Sequence, residues 1–279
     1  MKNSIQEMLF LPLDFSTHGH RIDALILWMH VVMLVLFVGW GLFFLYTLVR
    51  FRSGRQPRAD YHGVKSHMSS YLEVAVAIVE GVLLFGLAVP LWADRVDKIP
   101  PTETSEYVRV IGQQFQWNVH YPGPDGKFGR TDPALVDAAM VNFIGIDWDD
   151  PAAADDLVTN GELGLPVNRP VVIEIASLDV IHSFFLPELR VKQDAIPGLN
   201  IPVWFEATKT SAQYKREKYE AAQAAGDTSL SGPEDVRDLE VGCAQLCGLG
   251  HYRMVGKLYL LADDEYQAFY AAKRTELGF

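Results

Sequence analysis

An uninterrupted apolar stretch near the start of the chain sets the first limit on its fold. The stretch from Ala24 to Val49 contains no Asp, Glu, Lys or Arg over 26 positions. A helix needs roughly 20 such residues to cross a bilayer. The stretch is too long for the apolar core of a signal peptide, and no small-residue cleavage site follows it. It therefore predicts a transmembrane helix.

A second apolar segment, from Tyr71 to Ala93, is also long enough to cross a membrane but includes Glu73 and Glu80. Ionisable side chains are costly inside a bilayer and usually face other helices or a water-filled path. We therefore expect helices of other chains around this segment. Glu73 could also be an ordinary interfacial residue, and Glu80 a protonated donor between helices.

The segment between the two spans is basic. It contains Arg50, Arg52, Arg55 and Arg58, with Lys65 further along and only Asp60 opposing them. Short basic loops stay in the cytoplasm, so we expect residues 50–70 to be cytoplasmic. The tail of residues 1–23 and the domain of residues 94–279 would then both lie outside, in the periplasm of a bacterial inner membrane.

Charge is divided unevenly along the 279 residues. Residues 1–93 carry 7 Lys and Arg against 6 Asp and Glu, which leaves 24 − 7 = 17 against 35 − 6 = 29 in the remainder. Such an acidic domain repels nucleic acid and can steer a basic protein towards it, although acidic surfaces also serve solubility alone. No C-x-x-C-H motif is present, so we expect no c-type haem on this chain.

The extracytoplasmic part has the pattern of an all-β domain. Its β-branched and aromatic runs are bounded by Pro and Gly, which predicts a β-sandwich or Greek-key barrel. A cupredoxin fold suits the order of the runs and of the candidate ligands described below. The runs are Tyr107–Ile111, Phe115–Tyr121, Val171–Ile175, Val180–Leu186, Ile201–Ala207 and Val255–Leu261, and a terminal helix is expected over Asp263–Glu276.

Two long segments interrupt this pattern. Residues 122–166 are rich in Pro, Gly and Asp without sustained periodicity, and residues 210–240 contain a polar helical stretch from Tyr214 to Ala225. Loops of this length are uncommon in compact domains and are often functional. We interpret both as insertions that could be docking surfaces for other subunits, or simply decoration.

The only two cysteines of the chain belong to a cluster of soft metal ligands. Cys243, Cys247, His251 and Met254 follow one another as C-x3-C-x3-H-x2-M, and glycines within the stretch favour a loop over a helix. Thiolate and thioether select cuprous copper, and imidazole accepts either oxidation state. His182 is the obvious distant partner, and two coppers bridged by two thiolates become feasible.

Two other interpretations of the cluster remain open on ligand type alone. A tetrahedral zinc site could use both cysteines and both histidines, but it would leave Met254 without a role. A disulfide between Cys243 and Cys247 would suit an exported domain, but it would ignore the histidines.

The motif C-x-[E/Q]-x-C-x3-H-x2-M, with D-V-x-H-S-F upstream, resembles the binuclear CuA site of subunit II of haem-copper cytochrome c oxidases. The resemblance implies that Cys243 and Cys247 bridge two coppers and that His182 and His251 are the terminal ligands. It makes Met254 and the backbone carbonyl of Gln245 weak ligands. Many family members have Glu at the position of Gln245, so a second metal bound through that side chain at the subunit I interface is not supported here.

The resemblance extends over most of the chain. The strand Gln114-Phe-Gln-Trp117 is similar to the family's Gln-Trp-x-Trp strand, which makes Phe115 and Trp117 candidates for electron entry. The Lys192-Gln-Asp194-Ala-Ile-Pro-Gly segment implies contact with subunit I, and Asp179, Lys192 and Asp194 are the candidate residues there. Glu73 falls where the family has a Glu at the mouth of a proton path.

These similarities imply an electron-entry subunit of a respiratory haem-copper oxidase. It would take electrons from a c-type cytochrome or haem domain and pass them to haem in subunit I, where oxygen reduction is coupled to proton translocation. The CuA subunit of a nitric oxide reductase and a membrane-anchored copper chaperone are the alternatives. Because Phe115 replaces a tryptophan and two insertions are present, we expect a donor held by other subunits, as in a supercomplex.

Overall fold

The computed structural model describes residues 4–58, 61–62 and 65–277, which divide into two compact units. One unit is formed by residues 21–94. The other combines the residues up to 20 with those from 95 onward.

The smaller unit is built from the two apolar segments. Helix α2 spans Gly19–Arg50, and the second span, Met68–Val96, consists of α3 (Met68–Gly81), a π-helical segment (Val82–Ala88) and α4 (Val89–Val96). Both are long and apolar enough to cross a membrane, with a mean hydropathy of 2.4. An ion pair between Arg21 and Asp94 brings the start of the first span beside the end of the second, so the two could form a hairpin.

The larger unit confirms the predicted all-β domain. The described residues form two five-stranded sheets, in the orders β3-β2-β1-β5-β8 and β4-β10-β9-β6-β7. The β1–β5 and β4–β10 pairs are parallel and the other pairs are antiparallel. The strands are β1 (Glu106–Gln113), β2 (Gln116–Tyr121), β3 (Leu157–Asn160), β4 (Glu162–Pro166), β5 (Pro170–Ser177), β6 (His182–Leu186), β7 (Val191–Ala195), β8 (Ile201–Glu206), β9 (Leu239–Cys243) and β10 (Val255–Leu261).

Alternation along the strands produces the core between the two sheets. In β1 the side chains of Val108 and Val110 are fully buried, whereas Arg109 lies on the outer face, as expected for a period of two. Large side chains from both sheets fill the interior, among them Trp117, Tyr121, Ile173, Phe184, Leu186, Phe205 and Leu258. Helix α6 (Asp263–Leu277) packs on this domain through Tyr266.

The loop interpretation of residues 122–166 was wrong at its C-terminal end. Strands β3 and β4 lie within it, and they pair with β2 and β10 respectively. They are short and separated only by Gly161, which turns the chain with φ of 71°. Strands of four and five residues are too brief to show a clear period in the sequence.

Other boundaries also shifted. Strands β7 and β9 were not predicted, because β7 is polar and β9 belongs partly to the 210–240 insertion. The helix of that insertion, α5, covers Ser211–Ala224 and starts earlier than expected, because Thr210 and Gln213 form a capping box. Strand β6 begins at His182 and β2 at Gln116, after the turns that precede them.

The N-terminal tail is part of the β domain. After helix α1 (Ser4–Met8), Phe15 is fully buried, and its backbone N–H donates to the carbonyl of Glu188 at 2.7 Å. Thr208 N–H donates to the Phe15 carbonyl, also at 2.7 Å. The segment before the first span therefore belongs to the same compact unit as the domain after the second.

Candidate metal centre

Two neighbouring strands bring the distant ligands together. His182 is the first residue of β6 and Cys243 is the last of β9. These strands pair with Phe184 opposite Cys243. The remaining candidates follow in the loop between β9 and β10, which includes a short 3-10 turn over His251–Arg253. The prediction of a loop is confirmed for residues 244–254, whereas Cys243 itself ends a strand.

The side chains of the cluster converge on the two sulfur atoms. His182, Cys243 and Cys247 each offer a ligand atom, and these atoms lie within 4.8 Å of one another. Cys247 Sγ lies 3.9 Å from Cys243 Sγ, 3.6 Å from His251 Nδ1 and 3.7 Å from Met254 Sδ. Cys243 Sγ lies 3.2 Å from the carbonyl oxygen of Gln245. All six predicted ligand residues thus surround one small volume, and the sulfurs are too far apart for a disulfide bond of about 2.05 Å.

His182 is oriented as a metal ligand would be. Its Nε2 donates to Asp179 Oδ1 at 2.8 Å, and its Nδ1 is buried with no hydrogen-bond partner among the described residues. Ligating histidines commonly donate one ring N–H to a carboxylate and bind the metal through the other nitrogen. The unpartnered Nδ1 is therefore the atom that fits a copper ion.

Asp179 is held in its ionised form. Partial burial opposes ionisation, but the backbone N–H of Gln114, His182 and the N–H of Val180 donate to the carboxylate, and together they lower its pKa. The Gln114 N–H lies 2.7 Å from Asp179 Oδ2. From the sequence, Asp179 was predicted only as a contact with subunit I. Its contact with the His182 ring was missed, because it depends on a turn that the motif does not specify.

Gln114 is a second contributor that the sequence analysis missed. Its side-chain Nε2 donates to the carbonyl of Cys247 at 2.6 Å, and its backbone binds Asp179. One residue of the β1–β2 turn therefore joins the β9–β10 loop of residues 244–254, the copper loop, to Asp179, which orients His182. The one sequence feature that could have indicated this role is its position next to Phe115 in the aromatic motif.

The thiol of Cys247 is not readily ionised without a metal. Burial, followed by the neighbouring Cys243, raises its pKa to about 11. Metal binding requires thiolates, so a cation must supply the compensation in this site. Two thiolates beside an imidazole and a thioether fit copper, and Met254 lies almost fully buried beside Cys247, where a zinc site would leave it without a role.

Close backbone approaches shape the pocket. A Cβ at Gly112 would lie 2.8 Å from the His182 ring, and one at Gly250 would lie 2.4 Å from the ring of Phe115. Phe115 therefore packs directly on the copper loop. Trp117 is buried and meets His182 edge-on at 5.9 Å between ring centroids.

The other predicted residues lie apart from this cluster. Lys192 and Asp194 are exposed on β7, the edge strand of its sheet, and Asp194 accepts a hydrogen bond from Ser183 at 2.7 Å. Glu73 is exposed on α3 in the other unit. Their assigned roles stay predictions.

Comparison with known proteins decides the family. Residues 107–218 match the family model for the periplasmic domain of cytochrome c oxidase subunit II. The alternative cytochrome c oxidase subunit 2 of Bradyrhizobium diazoefficiens is 31% identical over 239 residues, which are 85% of this chain and 74% of that protein. The chain belongs to the cytochrome c oxidase subunit II family. This membership confirms the resemblance and the expected cupredoxin-like class of the domain.

Other family members are similar over even more of the chain. The cytochrome c oxidase subunit 2 of a Synechocystis species is 26% identical over 285 residues, covering 94% of this chain and 75% of its own. A solved structure of the periplasmic domain of subunit II of cytochrome oxidase from Bradyrhizobium japonicum covers 64% of this chain and 99% of its own, at 23% identity and a TM-score of 0.40.

The family defines the general role of this protein. It is a membrane-anchored subunit II of a haem-copper oxidase, with an extracytoplasmic domain, and its family implies copper binding. Because its strands bring together the His, Cys and Cys group, the metal centre described above is where such copper would be held.

Proposed function

We propose that this chain is the electron-entry subunit of a proton-translocating oxidase in a bacterial inner membrane. The observation that carries the proposal is the convergence of two cysteines, two histidines, a methionine and a backbone carbonyl on one small volume. These residues would hold a pair of copper ions, whose one-electron chemistry would connect a c-type haem with the haem in subunit I.

The protein residues provide a rigid and dry setting for that transfer. Cys243, Cys247, His182 and His251 would hold the metal ions, with Met254 and the Gln245 carbonyl as weak ligands. His182 and Met254 are almost completely buried and keep water from their side of the site, whereas Cys243 and His251 are half-buried. Asp179 holds His182, and Gln114 holds the loop at Cys247. The ligands should therefore move little when the metal centre gains or loses an electron.

The copper loop also carries a surface for protein contact. Leu246, Leu249 and Tyr252 project from it, and Leu249 is 98% exposed. Exposed apolar side chains beside a redox centre are expected where another subunit or a donor covers them. Phe115, packed on the same loop, would provide the apolar route for the incoming electron.

The metal assignment can be tested on the full-length chain. The N-terminal tail packs into the domain, so a fragment starting at Asp94 would lose the buried Phe15. We expect elemental analysis to find two coppers per chain and paramagnetic resonance to show one electron shared by two equivalent copper nuclei. Cys247→Ser should abolish both results. One zinc per chain without a signal would refute the proposal.

The reaction can be tested on the purified complex. Turnover with oxygen, but not with nitric oxide or nitrous oxide, is expected for an oxidase, and the opposite preference would identify a reductase. A copper chaperone would release its metal to an acceptor, which the burial of His182 and Met254 disfavours.

The electron donor can be tested by changing salt. The screening length falls from about 10 Å at 0.1 M salt to about 3 Å at 1 M. We expect turnover with the native membrane-bound donor to change little over this range, whereas turnover with an added basic cytochrome c should fall steeply. A steep loss with both would identify a diffusing cytochrome as the partner.

A further inference from the structure

Residues 131–150, which are part of the 122–166 insertion, form an ordered arm. Thr131 bridges to Ile146, and Asp137 bridges to Asn142. The Asn142 side chain donates to the carbonyls of Leu135 and Ile146 and accepts from the Ile146 N–H at 2.8 Å. Ile144 and Ile146 are buried against Ile111 on the outer face of β1. The arm is therefore built in advance and would lose little entropy on binding a partner.

The outward side of this arm is apolar. Met140 is 77% exposed, Val141 60% and Trp148 46%. Val141 has a φ of 57°, a conformation that is unfavourable for a β-branched residue. Such strain is retained where surrounding structure enforces it, and it is common in binding sites. Here it occurs at an apolar side chain that is exposed on the surface.

Met140 and Trp148 line two adjacent concavities. One has a volume of about 350 Å³ and is completed by Phe143 and Val158, with Lys273 and Glu276 at its edge. The other has a volume of about 360 Å³ and includes Asp137, Asp147 and Asp149. The apolar centre is thus bordered by carboxylates, the arrangement of a protein interface with a polar rim.

The charge of the segment is one-sided. Residues 131–168 contain eight Asp and Glu and no Lys or Arg. The carboxylates of Asp132, Asp137 and Asp150 accept backbone N–H groups of the arm, and Arg130 pairs with Asp147 at 2.6 Å. Arg130 also pairs with Asp150 at 3.4 Å, and Lys273 pairs with Glu162 at 2.5 Å. The negative charge available to a partner is therefore that of the carboxylates with no ion pair among the described contacts, which include Asp132, Asp137 and Asp149.

We propose that the arm surface around Met140 and Trp148 binds a basic protein chain that stays attached to the oxidase and inserts apolar side chains into the two concavities. A second copy of this chain does not fit, because a symmetric contact would place the acidic segments against each other. The chain's own basic segment, residues 50–58, lies between the two spans and is expected on the cytoplasmic side. Among the described residues, the hydrogen bonds and apolar contacts of the arm are made within it and with neighbouring strands, and none of them joins it to a predicted copper ligand.

The inference can be tested by labelling in native membranes. Met140→Cys introduces a thiol at the centre of the surface, and Asp264→Cys introduces one at an exposed acidic position of α6, outside both insertions, as the control. The unsubstituted chain gives the background from Cys243 and Cys247. In washed membranes at about 0.1 M salt, we expect a maleimide to label position 140 at least about tenfold more slowly than position 264.

Protection at position 140 should disappear at about 1 M salt, because screening weakens the ionic rim. A carbodiimide should couple Asp149 to a lysine of the partner, and Asp149→Asn should remove that product. Equal labelling of the two positions in washed membranes would overturn the proposal. Protection that returns only on adding a soluble basic cytochrome would also overturn it, because the partner would then be a diffusing donor.

Discussion

The contact between Asp179 and His182 gives the sharpest test of how the metal pocket is held. Asp179→Ala removes the acceptor that lies 2.8 Å from His182 Nε2. It also removes the acceptor for the Gln114 N–H at 2.7 Å and for the Val180 N–H at 2.7 Å. The imidazole would then be free to rotate, and its Nδ1 would no longer be directed into the pocket.

The size of the effect follows from the nature of these bonds. Removing a residue that orients a metal ligand typically weakens metal binding by about 10 to 100-fold, equivalent to about 1.4 to 2.7 kcal/mol. The carboxylate is partly exposed, so water can accept the hydrogen bonds of the two backbone N–H groups in the alanine variant. The weaker copper binding should therefore come mainly from the lost orientation of His182. Asp179→Asn keeps an acceptor in place, and we expect a smaller loss than with alanine.

The measurement is an anaerobic copper titration of the full-length chain against a competing chelator, with paramagnetic resonance of the loaded sample. Asp194→Asn is the matched control. It changes an exposed carboxylate on the neighbouring strand that contacts Ser183 and no predicted ligand. If Asp179→Ala binds copper within about twofold of the unsubstituted chain and of this control, the orientation argument is wrong.

Three further changes test other parts of the molecule. Met254→Leu should keep both coppers but shift the midpoint potential, because axial ligands tune copper sites more than they anchor them; loss of copper would contradict a weak-ligand role. Glu73→Gln should slow turnover of the complex without changing its copper content, and unchanged turnover would make Glu73 structural. Burial raises the pKa of Glu106 above its ordinary 4.5, although Tyr266 and Arg169 oppose the shift. The folded state then holds a proton more tightly than the unfolded state, so this carboxyl makes stability fall as pH rises above about 4.5. Glu106→Gln should remove this contribution to the fall in the free energy of unfolding, which urea unfolding at a series of pH values would measure. An unchanged pH profile would contradict the assignment.

The membrane spans and the metal ligands could be predicted because each depends on residues that are close together in the sequence. A charge-free run of 26 residues can hardly be anything but a membrane helix, and four soft ligands within twelve residues restrict the metal without any knowledge of the fold. These signals are local. The strands that were predicted well, such as β5 and β10, have strong apolar runs and sharp boundaries.

The features that were missed depend on partners distant in sequence. Strands β3 and β4 are held by β2 and β10, and neither has enough residues to show its own period. Gln114 meets Cys247 across 133 positions, and the tail carrying Phe15 meets residues near 188 and 207. No local pattern of hydrophobicity contains such pairs.

The sequence by itself determined the two spans, the side of the membrane on which the domain lies, and the chemical type of the metal ligands. Only the tertiary structure decided that His182 reaches Cys243 through the pairing of β6 with β9, that Asp179 directs its ring, and that part of an apparent loop completes both sheets. The physical reason is that ligand chemistry and membrane solubility belong to individual residues and short runs, whereas the orientation of a side chain is set by whichever distant backbone packs beside it.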